Sequence, residues 1–285
     1  MSREYLIVAV VVLVGFLALL FLKTGSHKTG HTMAASGTVM VVAKDYSFNM
    51  PATLPAGITT LRFVNKGKEL HHATLLKIGE GHTLADLDAA LKQPPSTPPP
   101  TWLTEAGGPN AVIGKDMAEV TLDLEPGMYV FICFIPGADG VPHFAKGMVK
   151  LLTVTTSDKP TAPEPVADVT MKLYDYGFEL SGPVTPGKHT IRVENTGSQS
   201  HEFELVQFAP GKTLQDMIAW EEGGEKGPPP VARWLGGFAG IAPGGHGWVT
   251  MNFEAGEYAL LCFLPDAKDG KSHIVHGMAQ PLTVK

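Results

Sequence analysis

Two segments of the chain present the same soft donor atoms in the same order. CFIPGADGVPHFAKGM begins at Cys133 and CFLPDAKDGKSHIVHGM at Cys262, with His143 and Met148 five residues apart in one and His273 and Met278 five apart in the other. The chain has two cysteines, and both lie here. A thiol, an imidazole and a thioether from one loop, joined by a second imidazole from elsewhere, suit a copper ion that cycles between its two oxidation states. Such a site needs two imidazoles and a thiolate near one plane, with a weak thioether on the axis. Each loop is therefore one histidine short.

An internal repeat supplies the missing residues. An offset of 130 residues pairs Asp45 and Tyr46 with Asp175 and Tyr176, Gly57 with Gly187, Asn65 with Asn195, and Gly67 with Gly197. A one-residue adjustment pairs Gly127 with Gly256 and Cys133 with Cys262. In each copy an Asn-x-Gly is followed four residues later by a histidine, His71 or His201. His72 aligns with Glu202, and strand alternation turns it to the face opposite His71. His276 aligns with Lys146. Neither is expected to bind. The candidate metal ligands are His71, Cys133, His143 and Met148 in the first copy, and His201, Cys262, His273 and Met278 in the second. A disulfide is the competing use of two cysteines in an oxidising compartment. Equivalent positions in separately folded repeats seldom face each other, so both are expected as free thiols.

The elements that must hold these residues read as short strands. Thr60–Val64 and Glu119–Leu124 alternate apolar and polar residues, as do their counterparts after Thr190 and around Met251. MYVFICF and EYALLCF are continuously apolar, which predicts a central strand leading directly into each cysteine. Thr83 with Asp86, and Thr213 with Asp216, form capping-box patterns that predict a short helical insert in each copy. The following Pro-rich stretches lead to Trp102 and Trp234, which are expected to pack on their own domain. With 32 Gly and 23 Pro the composition favours many turns, as an all-β chain needs. The balance of 22 basic against 28 acidic side chains leaves no basic field for phosphate backbones, so nucleic acid is not an expected partner.

Tyr5–Leu22 is uncharged and long enough as a helix to cross a bilayer core. The organisation expected is an N-terminal membrane anchor over 1–23, a flexible stalk over 24–37, domain one over 38–154, a Pro-rich linker over 155–166 and domain two over 167–285. The anchor predicts a single-pass protein of the cell membrane with both domains on the periplasmic or extracellular side.

On the two four-ligand sets and their order, the chain resembles the cupredoxin (blue, type 1 copper) family over nearly everything after the stalk. The resemblance implies an all-β fold of two tandem Greek-key β-sandwiches, each with one copper, or with copper in only one of them. It implies one-electron transfer with a redox protein of the envelope. Cys133 and Cys262 would be the thiolate ligands and the electronic path, Met148 and Met278 the axial ligands, and His143 and His273 the more exposed ligands and electron ports. Two features depart from the family. His72 and Glu202 stand where Asn or a small polar residue commonly buttresses the thiolate loop, and the Cys-to-His loops are long, with nine and ten intervening residues. Multicopper oxidases and nitrite reductases share the fold but add copper through His-x-His pairs or a His directly before the cysteine. Here Ile132 and Leu261 precede the cysteines and no His-x-His occurs, so the expectation is a protein that is not an enzyme. Copper binding or delivery without redox work, and a metal-free interaction module, are the alternative readings.

Overall fold

The structure is a computed structural model that describes residues 37–93, 99–159 and 161–285. The expected anchor and most of the stalk lie outside the described residues, and among those described no helix is long and apolar enough to cross a membrane.

The two repeats fold into the same succession of elements, except that the first has one additional short strand, Thr53–Pro55. The first comprises β1 (Thr38–Lys44), β2 (Ser47–Asn49), β3 (Thr53–Pro55), β4 (Gly57–Asn65), β5 (Thr74–Ile78), α1 (Leu84–Leu91), β6 (Leu103–Glu105), β7 (Met117–Leu124), β8 (Gly127–Ile132) and β9 (Val149–Thr155). The second comprises β10 (Val169–Tyr174), β11 (Gly177–Leu180), β12 (Gly187–Asn195), β13 (His201–Phe208), α2 (Leu214–Glu222), β14 (Val231–Ile241), β15 (His246–Phe253), β16 (Gly256–Leu261) and β17 (Ala279–Val284). Both predicted helices start at complete capping boxes, Thr83 with Asp86 and Thr213 with Asp216, which satisfy first-turn N–H groups reciprocally.

Each half is a two-layer sandwich. In the first, β2-β1-β4-β7 packs over β3-β9-β8-β5-β6, and in the second, β11-β10-β12-β15 packs over β14-β13-β16-β17. The strands that run into the cysteines, β8 and β16, are buried through their last four residues, as continuous apolarity requires. Trp102 belongs to an apolar cluster under α1 and Trp234 to the matching cluster under α2, each within its own half.

The layers do not stop at the repeat boundary. Antiparallel pairing of β7 with β15 through Glu119–Thr250, Val120–Val249 and Thr121–Trp248 makes one eight-stranded sheet from both halves. The second layer is bridged by residues 106–112, which hydrogen-bond to the His71–Leu75 stretch on one side and to β14 on the other. This approach depends on glycine. A Cβ on Gly108, at φ +126°, would lie 2.3 Å from the Ala73 carbonyl oxygen, and beside the bridge, between β14 and β13, one on Gly237, at φ +153°, would lie 2.1 Å from that of Phe203. One apolar core accordingly runs through both halves, from Val41 and Phe63 to Val249 and Val284.

Candidate metal centre

The first candidate histidine of each copy is positioned by the Asn-x-Gly that precedes it. Asn65 is fully buried; its Nδ2 donates to the Glu69 and Val112 carbonyls, 2.8 Å each, and its Oδ1 accepts from Gly67 N at 2.8 Å. Asn195 repeats the pattern toward Gln199, Ile241 and Gly197. The glycine is required by crowding, since a Cβ at Gly67 would sit 2.2 Å from Asp45 Oδ1 and 2.8 Å from His71 Nε2. The cysteine loop is closed equally tightly. Cys133 N donates to the Met148 carbonyl and Met148 N to that of His143, at 3.3 and 3.0 Å, while Cys262, Met278 and His273 repeat both bonds at 3.2 and 2.8 Å.

Three donor atoms converge in each half. His71 Nδ1 lies 3.0 Å from His143 Nδ1, and Cys133 Sγ lies 3.5 Å from His143 Nδ1 and 4.0 Å from His71 Nδ1. In the second half His201 Nδ1 and His273 Nδ1 are 3.2 Å apart, with Cys262 Sγ 3.3 Å from the latter. Met148 and Met278, tied by backbone hydrogen bonds to these loops, are fully buried, as are the six converging residues.

The far ring nitrogens decide which atoms are free to bind. His71 Nε2 meets Asp45 Oδ1 at 2.7 Å, His201 Nε2 meets Asp175 Oδ1 at 2.8 Å, and His143 Nε2 meets Glu69 Oε2 at 2.9 Å. A hydrogen bond from the Tyr46 hydroxyl, foremost, keeps Glu69 below its ordinary value and hence ionised. An ionised carboxylate only accepts, so the proton stays on Nε2 and the Nδ1 lone pair faces the thiol. Burial lowers His143 and His201, takes His273 down to about 4, and pushes Cys133 up to about 12 and Cys262 well above its ordinary value. Imidazole lone pairs aimed at a thiol in a dry site are a donor set that a soft cation completes. The residues therefore fit copper, which would take the thiol's proton away.

The two halves differ around His143 and His273. Glu69 has Gln199 as its counterpart, and the carboxylate near the second site is Asp266, which accepts from Tyr176 and Gln199 at 2.5 and 2.9 Å and stays 4.0 Å from His273 Nε2. His276 turns away to Asp269 at 3.1 Å. The expectation that His143 and His273 are exposed ports is corrected, because both are 0% exposed. The Tyr46 ring lies 4.9 Å from His143 and the Tyr176 ring 5.6 Å from His273, each covering a loop that by itself would face solvent.

His72 and Glu202 are outside the donor groups but serve the thiolate loops. His72 Nε2 accepts the N–H of Phe134 at 2.8 Å, and Glu202 Oε1 accepts that of Phe263 at 3.2 Å. Each holds the peptide that follows the cysteine. Asp45, Glu69 and Asp175 are functional residues that sequence reasoning missed. The signal for Asp45 and Asp175 was present, because they are repeat-paired polar residues ahead of a tyrosine.

The fold and its duplicated donor sets are those of a cupredoxin-like, two-domain protein. No family model matches the chain, and no curated protein does. Solved structures do. A dithionite-reduced auracyanin from the photosynthetic bacterium Roseiflexus castenholzii is 24% identical and covers 43% of this chain and 99% of its own, with a TM-score of 0.29. Auracyanin A, a "blue" copper protein from Chloroflexus aurantiacus, is 24% identical over 42% of this chain and 100% of its own, at 0.30. A copper-containing nitrite reductase from Thermus scotoductus SA-01 is 13% identical over 88% of this chain and 62% of its own, at 0.24. A multicopper oxidase is 14% identical over 88% of each chain, also at 0.24. The expectation that the chain is not an enzyme is corrected here, since two solved structures that match over both halves are titled as enzymes. Ligands of a catalytic metal can converge from elements far apart in sequence, so the missing His-x-His does not exclude catalysis.

Proposed function

We propose that the chain binds copper at two type 1 sites, one in each half, and carries single electrons through them. The observation that carries this reading is the buried convergence of two Nδ1 atoms and one Sγ, found twice. His71, Cys133 and His143 would hold one ion, with the Met148 thioether as a weak further donor. His201, Cys262 and His273 would hold the other with Met278. Carboxylates on the Nε2 atoms of His71, His143 and His201 fix those tautomers and keep the three rings from turning. A site so constrained keeps its geometry when the ion changes charge, which lowers the reorganisation that electron transfer demands. Full burial of all eight side chains favours resident copper over open exchange with a delivery partner.

The reading extends to a single-pass anchor over residues 1–23, both halves on the periplasmic or extracellular side, and a redox protein of the envelope as partner. Its support is the uncharged apolar run Tyr5–Leu22. Partition of the full chain into the detergent phase, lost on deletion of that run, would test it.

Copper titration of the full chain tests the sites. Cu(II) is expected to develop the intense thiolate-to-copper absorption, with two ions bound per chain. Cys133→Ser and Cys262→Ser are each expected to remove about half of it, because each takes away one thiolate. A chain that takes up no copper would rule out the electron-transfer reading and leave the sandwich as a metal-free module.

A further inference from the structure

The two donor sets are equal in kind but not in what stands behind them. The first histidine is backed alike in both halves, His71 by Asp45 and His201 by Asp175. The second is not. His143 Nε2 meets Glu69 Oε2 at 2.9 Å, whereas no protein group lies within hydrogen-bonding distance of His273 Nε2, although both rings are fully buried.

Two exchanges between the repeats cause this difference. Glu69 is replaced by Gln199, and Gly137 by Asp266. Asp266 Oδ2 accepts from the Tyr176 hydroxyl and Gln199 Nε2, its Oδ1 accepts from the N–H groups of Lys268 and Asp269, and the side chain stays 4.0 Å from His273 Nε2. In the first half Glu69 fills the space of such a loop residue, since a Cβ at Gly137 would lie 3.2 Å from Glu69 Oε2. A carboxylate stands near the second histidine in both halves, but only Glu69 bonds to the ring.

A cation on Nδ1 draws electron density through the imidazole and makes its Nε2–H a stronger donor, more so for Cu(II) than for Cu(I). An ionised acceptor on that hydrogen therefore favours the higher charge. The dry surroundings of the ring strengthen the preference. With 33% of its side chain in solvent, Glu69 acts on the scale of one charge-assisted hydrogen bond, not of a bare buried charge.

Resting on the copper reading above, we infer that Glu69 is a positioning residue that acts through His143 to hold the first centre at a lower potential than the second, which makes the first half the electron donor of the pair. The centres are read one at a time in the copper-loaded full chain, the first in Cys262→Ser and the second in Cys133→Ser. At one fixed ambient potential the Cu(II)/Cu(I) ratio of the first is expected to be about tenfold that of the second, equivalent to about 59 mV for a one-electron couple. Glu69→Gln keeps an oxygen for the Tyr46 hydroxyl and removes the charge. It is expected to bring the first ratio to within about twofold of the second and to leave the second where it was. Equal ratios in the two cysteine variants, a larger ratio at the second centre, or a difference that outlasts Glu69→Gln overturns the inference.

Imidazole N–H resonances of the metal-free full chain give a readout that needs no copper. The His143 signal is expected downfield and slow to exchange, and to move on Glu69→Gln, while that of His273 stays in place. An unmoved His143 signal shows that Glu69 does not hold the ring and overturns the inference. Failure of the unsubstituted chain to take up copper sinks the functional reading and the potential difference with it, whereas two loaded centres of equal ratio sink the inference alone.

Discussion

Glu202 occupies the position that His72 holds in the first repeat, and the exchange alters how the metal-free protein responds to pH. The side chain is 5% exposed, and burial, with Glu105 adding repulsion, raises its carboxyl from 4.5 to about 8. The unfolded chain is ionised above 4.5, whereas the folded chain holds the proton until about 8, so folding takes up a proton across that window. Stability falls there as pH rises, by about 1.4 kcal/mol per pH unit from this one group. Glu202→Gln has no such proton to take up. Urea unfolding of the metal-free proteins at pH 5 and 7.5 is expected to show the glutamine variant gaining on wild type as pH rises. A constant difference between the two would show Glu202 ionised in the fold. At this scale the convergence of His71, Cys133 and His143, and of His201, Cys262 and His273, was legible in the sequence, because duplication separates the kept residues from their neighbours. The burial of His143 and His273 was not, because the tyrosines that cover them arrive from turns roughly a hundred residues away along the chain.

Among the elements, helices α1 and α2 and the strands that feed the cysteines were the most legible, for each carries its signal within a few consecutive residues. Thr213→Ala removes one half of a capping box and is expected to cost about 1 kcal/mol in unfolding free energy without touching copper uptake. The junction between the halves had no comparable local signal. Gly107-Gly108-Pro109-Asn110 neither alternates nor repeats, and its partners lie in β14 and in the stretch after His71. Its pairing depends on what a glycine leaves out, which no local pattern encodes. Gly237→Ala tests this directly, because the new methyl group would collide with the Phe203 carbonyl. The expected outcome is loss of β14 pairing to the bridging segment, seen as faster amide exchange at Asn110 and Ala239, while β8 and β16 keep their protection. Unchanged exchange at both positions would mean that the bridge does not depend on this close approach.

For the molecule as a whole, a core and two layers that continue through both halves predict a single cooperative unit. Two sandwiches joined only by a tether would melt separately, and binding at one would leave the other's stability unchanged. Here β7 and β15 share a sheet, the 106–112 segment shares the other layer, and Phe203 and Phe238 pack in the same core cluster as Leu75 and Leu122. A ligand that binds the folded state stabilises the whole cooperative unit, by about 2.7 kcal/mol at a hundredfold excess over its dissociation constant. Cys133→Ser confines thiolate-bound copper to the second half. Adding copper to this variant is expected to slow amide exchange in β8 of the first half by the same free energy as in β16 of the second. It is also expected to raise one calorimetric transition without splitting it. Protection gained in β16 alone would show that the halves unfold independently despite their shared sheet.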